Sequence, residues 1–135
     1  MQRFENIDPK LIQFAEEHHG QIRKDGFYFG DKPDENIEVR TIFWKEGVIV
    51  KDLSIHPLYD SGTSDDSLWT FVISAHYSED DERYPHVLPS WHEILLRDVK
   101  LVEIENQLDR LLKETAEKLG AIGFDDLIVK PFFTS

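Results

Sequence analysis

Three histidines and one glutamate have the clearest capacity for chemistry in this sequence. His76, His86 and His92 fall in one stretch of the chain, and Glu93 follows His92 directly. Imidazoles together with a carboxylate suit Zn²⁺, and the same groups transfer protons near neutral pH. The zinc motif H-E-x-x-H would need a histidine at position 96, where the chain has Leu96. Structural or exposed histidines are therefore the preferred interpretation. A small enzyme or metal-binding protein with a site built from dispersed His and carboxylate residues is the alternative.

A second candidate is the stretch Asp60-Ser61-Gly62-Thr63-Ser64. It resembles the active-site sequence of aspartic proteases, D-[ST]-G-[TS]-S, in which the aspartate activates water. The resemblance covers these five residues. Such a protease also needs a later apolar-apolar-Gly segment, and after Gly62 the only glycines are Gly120 and Gly123, at the end of a C-terminal helix. We interpret the stretch as a surface turn, and we predict no catalytic residue, no metal ligand and no cofactor.

Two stretches concentrate negative charge, and from Asp52 through Glu82 the chain has no lysine or arginine. Clustered carboxylates can bind Ca²⁺, but neither stretch follows the EF-hand spacing, so solvated acids are the preferred interpretation. As contacts for a basic partner we expect Asp60, Asp65 and Asp66 in the first stretch, and Glu79, Asp80, Asp81 and Glu82 in the second. The second stretch ranks higher because its four acids are consecutive.

The composition narrows the class of protein. Lysine and arginine number 15 against 27 aspartates and glutamates, which gives a net charge of −12. An acidic surface repels nucleic-acid phosphates and attracts basic proteins, so we expect no direct nucleic-acid binding. The 135 residues contain no cysteine. They also show no signal-peptide pattern and no apolar run of about 20 residues. These features predict a cytoplasmic protein that does not bind or span a membrane.

The strongest strand pattern is Ser67–Tyr77. One face of it carries Trp69, Phe71, Ile73, Ala75 and Tyr77, with the period of two that strands show. At about 3.3 Å per residue this strand spans roughly 35 Å. The two acidic stretches should therefore sit at opposite ends of the sheet.

Three further elements follow from local patterns. Ile37–Trp44 and Val48–Ile55 predict a hairpin around Lys45-Glu46-Gly47, with the glycine in the left-handed position. Asp8-Pro9 predicts the start of a helix that ends near Gly20, with Asp8 as the cap. A long C-terminal helix is predicted from helically spaced apolar residues between Ile104 and Leu119, ending at Gly120.

Three segments are ambiguous. Residues 90–99 fit either a helix or a strand, and we favour a strand over about 93–99. Gly26–Gly30 fits a short edge strand or a turn, and the following residues 31–36 read as a loop. Leu127–Val129 fits a docked extended segment. Together these elements predict one globular domain over residues 1–135, with an α+β fold. It comprises an antiparallel sheet of about four strands, with an N-terminal and a long C-terminal helix packed on one face.

The sequence favours a non-catalytic, acidic protein-binding module. Its concrete form is an inhibitor or immunity-type protein that occludes a basic partner, such as a nuclease toxin, with carboxylates that pair with the partner's Lys and Arg. A third interpretation is a homodimer formed through an open sheet edge or through Gly26–Gly30.

Overall fold

The computed structural model describes residues 4–23, 27–29, 32–34, 39–47, 49–57, 68–77 and 90–122. The elements, in chain order, are α1 (Asp8–Glu17), β1 (Gln21–Arg23), β2 (Phe27–Phe29), β3 (Lys32–Asp34), β4 (Arg40–Glu46), β5 (Ile49–Pro57), β6 (Trp69–Tyr77), β7 (Ser90–Val99), α2 (Leu101–Asn106) and α3 (Leu108–Ala121).

The fold is α+β with an antiparallel sheet, as predicted. Five strands pair in the order β1-β4-β5-β6-β7, and β2 pairs with β3 in a separate two-stranded sheet. The large sheet has one strand more than the predicted four. The additional strand is β1, which is only three residues long, shows no alternation in the sequence, and is defined by its pairing with β4. The predicted loop over residues 31–36 was also wrong in part, since Lys32–Asp34 pairs with Phe27–Phe29.

The alternation in β5 and β6 gives the large sheet two unlike sides. Side chains at Leu53, Ile55, Phe71 and Ile73 are fully buried, whereas their neighbours along each strand are mostly half-buried. We call the buried surface the helix side and the opposite surface the far side. The predicted strand Ser67–Tyr77 is confirmed as β6, with register shifts against β7 near Phe71.

The helix side packs against the helices in one hydrophobic cluster. Leu11 and Phe14 come from α1, and Leu108 and Leu111 come from α3. Their spacing of three residues places each pair on one face of its helix, which is the face that docks on the sheet. Burying these side chains supplies the main driving force for folding.

Two predicted helix ends differ from the structure. Asp8 is the first residue of α1 rather than its cap, and its carboxylate instead pairs with Arg40. At the other end His18 caps the helix, and His19, with φ 60°, takes the left-handed position expected for Gly20. The Gly20 N–H then donates to the Ala15 carbonyl, which closes a Schellman motif.

The predicted long C-terminal helix is two helices. α2 ends at Asn106, Gln107 lies between them, and α3 continues to Ala121, one residue beyond the predicted stop at Gly120. The apolar residues on both sides of the break, Ile104, Leu108 and Leu111, pack into the same core.

The ambiguous residues 90–99 form β7, so the preference for a strand is confirmed and the strand begins earlier than expected. The predicted hairpin is also confirmed, with Gly47 at φ 62°, although Lys45 and Glu46 belong to β4 rather than to the turn. The segment Leu127–Val129 lies outside the described residues. None of the helices that the structure describes is long and apolar enough to cross a membrane.

Candidate functional site

The acids expected to contact a partner lie outside the described residues. Asp60, Asp65 and Asp66 belong to residues 58–67, and Glu79–Glu82 belong to residues 78–89. The described strands fix where these segments attach. Residues 58–67 join β5 to β6, residues 78–89 join β6 to β7, and the nine residues of β6 separate the two attachment points by about 27 Å.

Among the described residues, Glu93 lies on the side of the sheet opposite to His76 and His92. His92 lies opposite Ser74 on the far side, and Glu93 lies opposite Ile73 on the helix side, because consecutive strand residues point to opposite faces. The Glu93 carboxylate instead accepts from Lys118 of α3, at 2.6 Å, which raises the pKa of Lys118 through that hydrogen bond. His86 is outside the described residues. In the described part of the chain no three His, Asp or Glu residues are grouped to hold a metal ion.

The far side carries one polar cluster, centred on Asp52. Asp52, Ser74 and His92 occupy one cross-strand row, and His76 is a diagonal neighbour of Asp52. The Ser74 hydroxyl donates to Asp52 Oδ1 at 2.8 Å. Burial raises the pKa of Asp52, and the Ser74 hydrogen bond and the His76 charge partly oppose that rise. A serine that donates directly to a carboxylate lacks the imidazole acceptor of a hydrolytic triad, so this row does not activate Ser74 as a nucleophile.

The helix side holds a buried lysine beside a cleft. Lys51 follows the inward alternation of β5, between Ile49 and Leu53, and its side chain is 6% exposed. Directly opposite it lie Trp44 on β4 and Ala75 on β6. Trp44 and Lys51 both line the cleft.

Three aromatic side chains border this cleft. The rings of Phe14 and His18 lie 4.4 Å apart, and the Phe14 and Trp44 rings meet edge to face at 6.0 Å. The Trp44 indole N–H donates to the His18 carbonyl at 2.9 Å, which ties the end of α1 to β4. The cap of α1 therefore determines the position of two of the three rings.

The approach of α1 to β4 depends on the absence of a side chain at Gly20. A Cβ at this residue would lie 2.6 Å from Trp44 Nε1 and 2.7 Å from Ile42 Cγ2. Both separations are far below ordinary van der Waals contact. Gly20 therefore lets the Trp44 ring reach the His18 carbonyl.

Helix α3 supplies the remaining wall of the cleft. The residues on this wall are Thr115, Ala116 and Leu119. The cleft has a volume of about 120 Å³. The Thr115 hydroxyl donates to the Leu111 carbonyl at 2.8 Å, so its proton is already engaged within the helix. This wall is largely apolar, and the cleft's charged groups are Lys51, Glu46 and, when protonated, His18.

Lys51 and Glu46 form an unequal ion pair. Lys51 Nζ lies 3.1 Å from Glu46 Oε2, yet the Glu46 side chain is 62% exposed. The lysine loses most of its hydration, whereas the glutamate keeps much of its own. Among the described residues, Glu46 is the one hydrogen-bond acceptor of the Lys51 ammonium, a group with three N–H donors. In the sequence itself, Lys51 falls on the same alternating face as Ile49, Leu53 and Ile55, but no sequence pattern linked it to His18, Trp44 or Thr115.

A second buried cation, Arg40, has a structural role. Its guanidinium donates to both oxygens of Asp8, at 2.7 and 3.1 Å, and lies 4.1 Å from the centre of the Phe4 ring. Such a bidentate pair stacked on an aromatic ring joins the start of α1 to β4. It lies at the opposite end of β4 from Trp44.

Comparisons of this chain with known protein families, with curated proteins and with solved structures find no match.

Proposed function

We propose that the protein is a non-catalytic protein-binding module that occludes a basic partner through its acidic surface. The mechanism is charge pairing: carboxylates occupy the partner's Lys and Arg side chains, which would otherwise hold an anionic substrate such as a phosphate backbone. The proposal corresponds to an inhibitor or immunity-type protein.

The observation that carries this proposal is uncompensated negative charge. In the described part of the chain, five basic side chains already pair with the protein's own carboxylates: Lys10 with Asp109, Arg40 with Asp8, Lys51 with Glu46, Arg110 with Glu114, and Lys118 with Glu93. Since acids outnumber bases by 27 to 15, pairing within the chain leaves many acids without a cation. Such a surface accelerates encounter with basic proteins.

A basic partner could bind either of two acidic segments, which contain Asp60–Asp66 and Glu79–Glu82. Because their attachment points on β6 are about 27 Å apart, a small partner would engage one segment. We favour Glu79–Glu82, which follows β6 at Tyr77. Tyr77 pairs with Ile49, so this attachment point adjoins the β4–β5 turn.

Two matched variants test the proposal. The first carries Asp80→Asn, Asp81→Asn and Glu82→Gln, and the second carries Asp60→Asn, Asp65→Asn and Asp66→Asn. Each removes three charges. The immobilised wild-type chain is used to capture basic proteins from a lysate at about 50 mM salt, and each captured protein is then titrated against both variants by calorimetry.

We expect the first variant to weaken binding by about 10-fold or more and the second to change it much less. Raising the salt to about 500 mM should release the partner, since charge pairing at a solvated surface is screened. A complex that tolerates both salt and both variants would refute charge occlusion, as would the failure of the wild-type chain to retain any basic protein.

A further inference from the structure

We propose that the cleft above Lys51 is a binding site for a small carboxylate with an aromatic or similarly flat apolar body. This inference does not rest on the proposed function, because none of the described residues that line the cleft belongs to the two acidic segments. It is formed by described residues of β4, β5, α1 and α3.

The Lys51 ammonium is buried with few hydrogen-bond acceptors among the described residues. Its side chain is 6% exposed and lies in a row of buried apolar residues of β5. A buried ammonium is costly unless its donors are matched by acceptors. Glu46 Oε2 takes one of the three donors, and Lys51 also lines the cleft.

The neighbouring backbone acceptors are already engaged. At the end of α1, the Phe14 carbonyl accepts from His18, the Ala15 carbonyl from Gly20, and the His18 carbonyl from the Trp44 indole. The hydroxyl of Thr115 donates to Leu111. Among the described residues, the Lys51 ammonium has one hydrogen-bond acceptor, Glu46 Oε2, for its three N–H groups, and a ligand carboxylate would complement this arrangement.

The cleft lies between aromatic and aliphatic side chains. Phe14, His18 and Trp44 border it on one side, and Ala116 and Leu119 border it on the other. Flat apolar groups pack well against such rings. Its volume of about 120 Å³ is somewhat below that of a cavity known to hold benzene, about 150 Å³, so a single six-membered ring at the open mouth is near the upper limit.

The Glu46 carboxylate affects which ligand charge the cleft accepts. It competes with the ligand for Lys51, but it is mostly exposed at the end of β4, beside Gly47. It can therefore turn towards solvent when a ligand carboxylate takes its place. Removing the Glu46 charge should strengthen binding of an anion and weaken binding of a cation, so the direction of the effect identifies the ligand class.

The test uses three probes of similar size that differ in charge: benzoate, benzamide and benzylammonium. Each is titrated into the full chain by calorimetry, with protein-observed NMR of the tryptophan indole N–H signals. The variants are Lys51→Met, Glu46→Gln and, as a matched control, Lys45→Met, which removes the same charge from the adjacent exposed position that faces the far side.

We expect benzoate to bind about 10- to 100-fold more tightly than benzamide, which is the range for a hydrogen bond to a charged group. Lys51→Met should abolish that preference, Lys45→Met should leave it, and Glu46→Gln should tighten benzoate binding. Thermal unfolding of each free variant establishes that it folds.

Three results would overturn the inference: no benzoate binding to the wild-type chain, equal binding of the three probes, or tighter binding of benzylammonium. Benzoate binding that persists in Lys51→Met would also overturn it. A negative result for benzoate binding would not contradict the proposed binding of a basic partner. The salt dependence of the two binding reactions distinguishes them. Added salt should weaken the complex with a basic partner and slightly favour benzoate, since it screens the repulsion from a chain of charge −12.

Discussion

Gly20→Ala tests the close contact that brings α1 against β4. The added methyl group would lie 2.6 Å from Trp44 Nε1 and 2.7 Å from Ile42 Cγ2. The Trp44 ring would have to move, and its hydrogen bond to the His18 carbonyl would be lost or lengthened. The backbone at Gly20 is not in the left-handed region, so crowding alone opposes the substitution.

The expected cost follows from three contributions. Overpacking costs about 1–3 kcal/mol, and loss of the indole hydrogen bond costs about 1 kcal/mol. Alanine offsets about 0.4–1 kcal/mol by restricting the unfolded chain. The net destabilisation is therefore about 1–3.6 kcal/mol, which for a chain of this size lowers Tm by about 4–13 °C.

Gly120→Ala is the matched control, because a Cβ at Gly120 in α3 meets no atom within 4 Å. Alanine at an unobstructed helical position stabilises by up to about 1 kcal/mol. Both variants are compared by thermal and urea unfolding, with near-ultraviolet circular dichroism to report the environment of Trp44. If Gly20→Ala is as stable as Gly120→Ala, with an unchanged tryptophan signal, the close approach at Gly20 is refuted.

Three further predictions concern the interior of the sheet. Lys51→Met should leave the free energy of unfolding within about 1 kcal/mol of wild type or raise it, because the variant removes the buried charge. Glu46→Gln should lower the free energy of unfolding by about 1 kcal/mol, because it leaves the buried Lys51 ammonium poorly paired. Urea unfolding of both variants measures these differences. Asp52→Asn should stabilise the protein at pH 7. Because the pKa of Asp52 is raised in the folded state, the wild-type chain loses stability as the pH rises above the ordinary value of 3.8. The higher Tm of the variant should therefore approach that of wild type as the pH is lowered towards 3.8. Leu53→Ala, at a fully buried position, should cost about 2–5 kcal/mol in urea unfolding, and a cost below 1 kcal/mol would contradict the packing described.

Local patterns predicted most of the secondary structure. The alternation in β5 and β6, the left-handed Gly47 and the apolar spacing of α3 each depend on residues close together in the chain. At two misassigned positions a distant partner decided the outcome. Asp8 pairs with Arg40 instead of capping α1, and β1 exists because β4 lies beside it.

The candidate site was less accessible from the sequence. Alternation alone placed Lys51 among inward-facing apolar residues, and composition alone established the excess of acidic side chains. Only the tertiary structure brought His18, Trp44 and Thr115 around that lysine. His92 and Glu93 lie on opposite sides of the sheet because residues 90–99 form a strand, which the sequence left open against a helix. Residue spacing specifies which face of each element is apolar. Which faces meet is decided by the docking of helices on the sheet, because that step depends on packing between residues far apart in the chain.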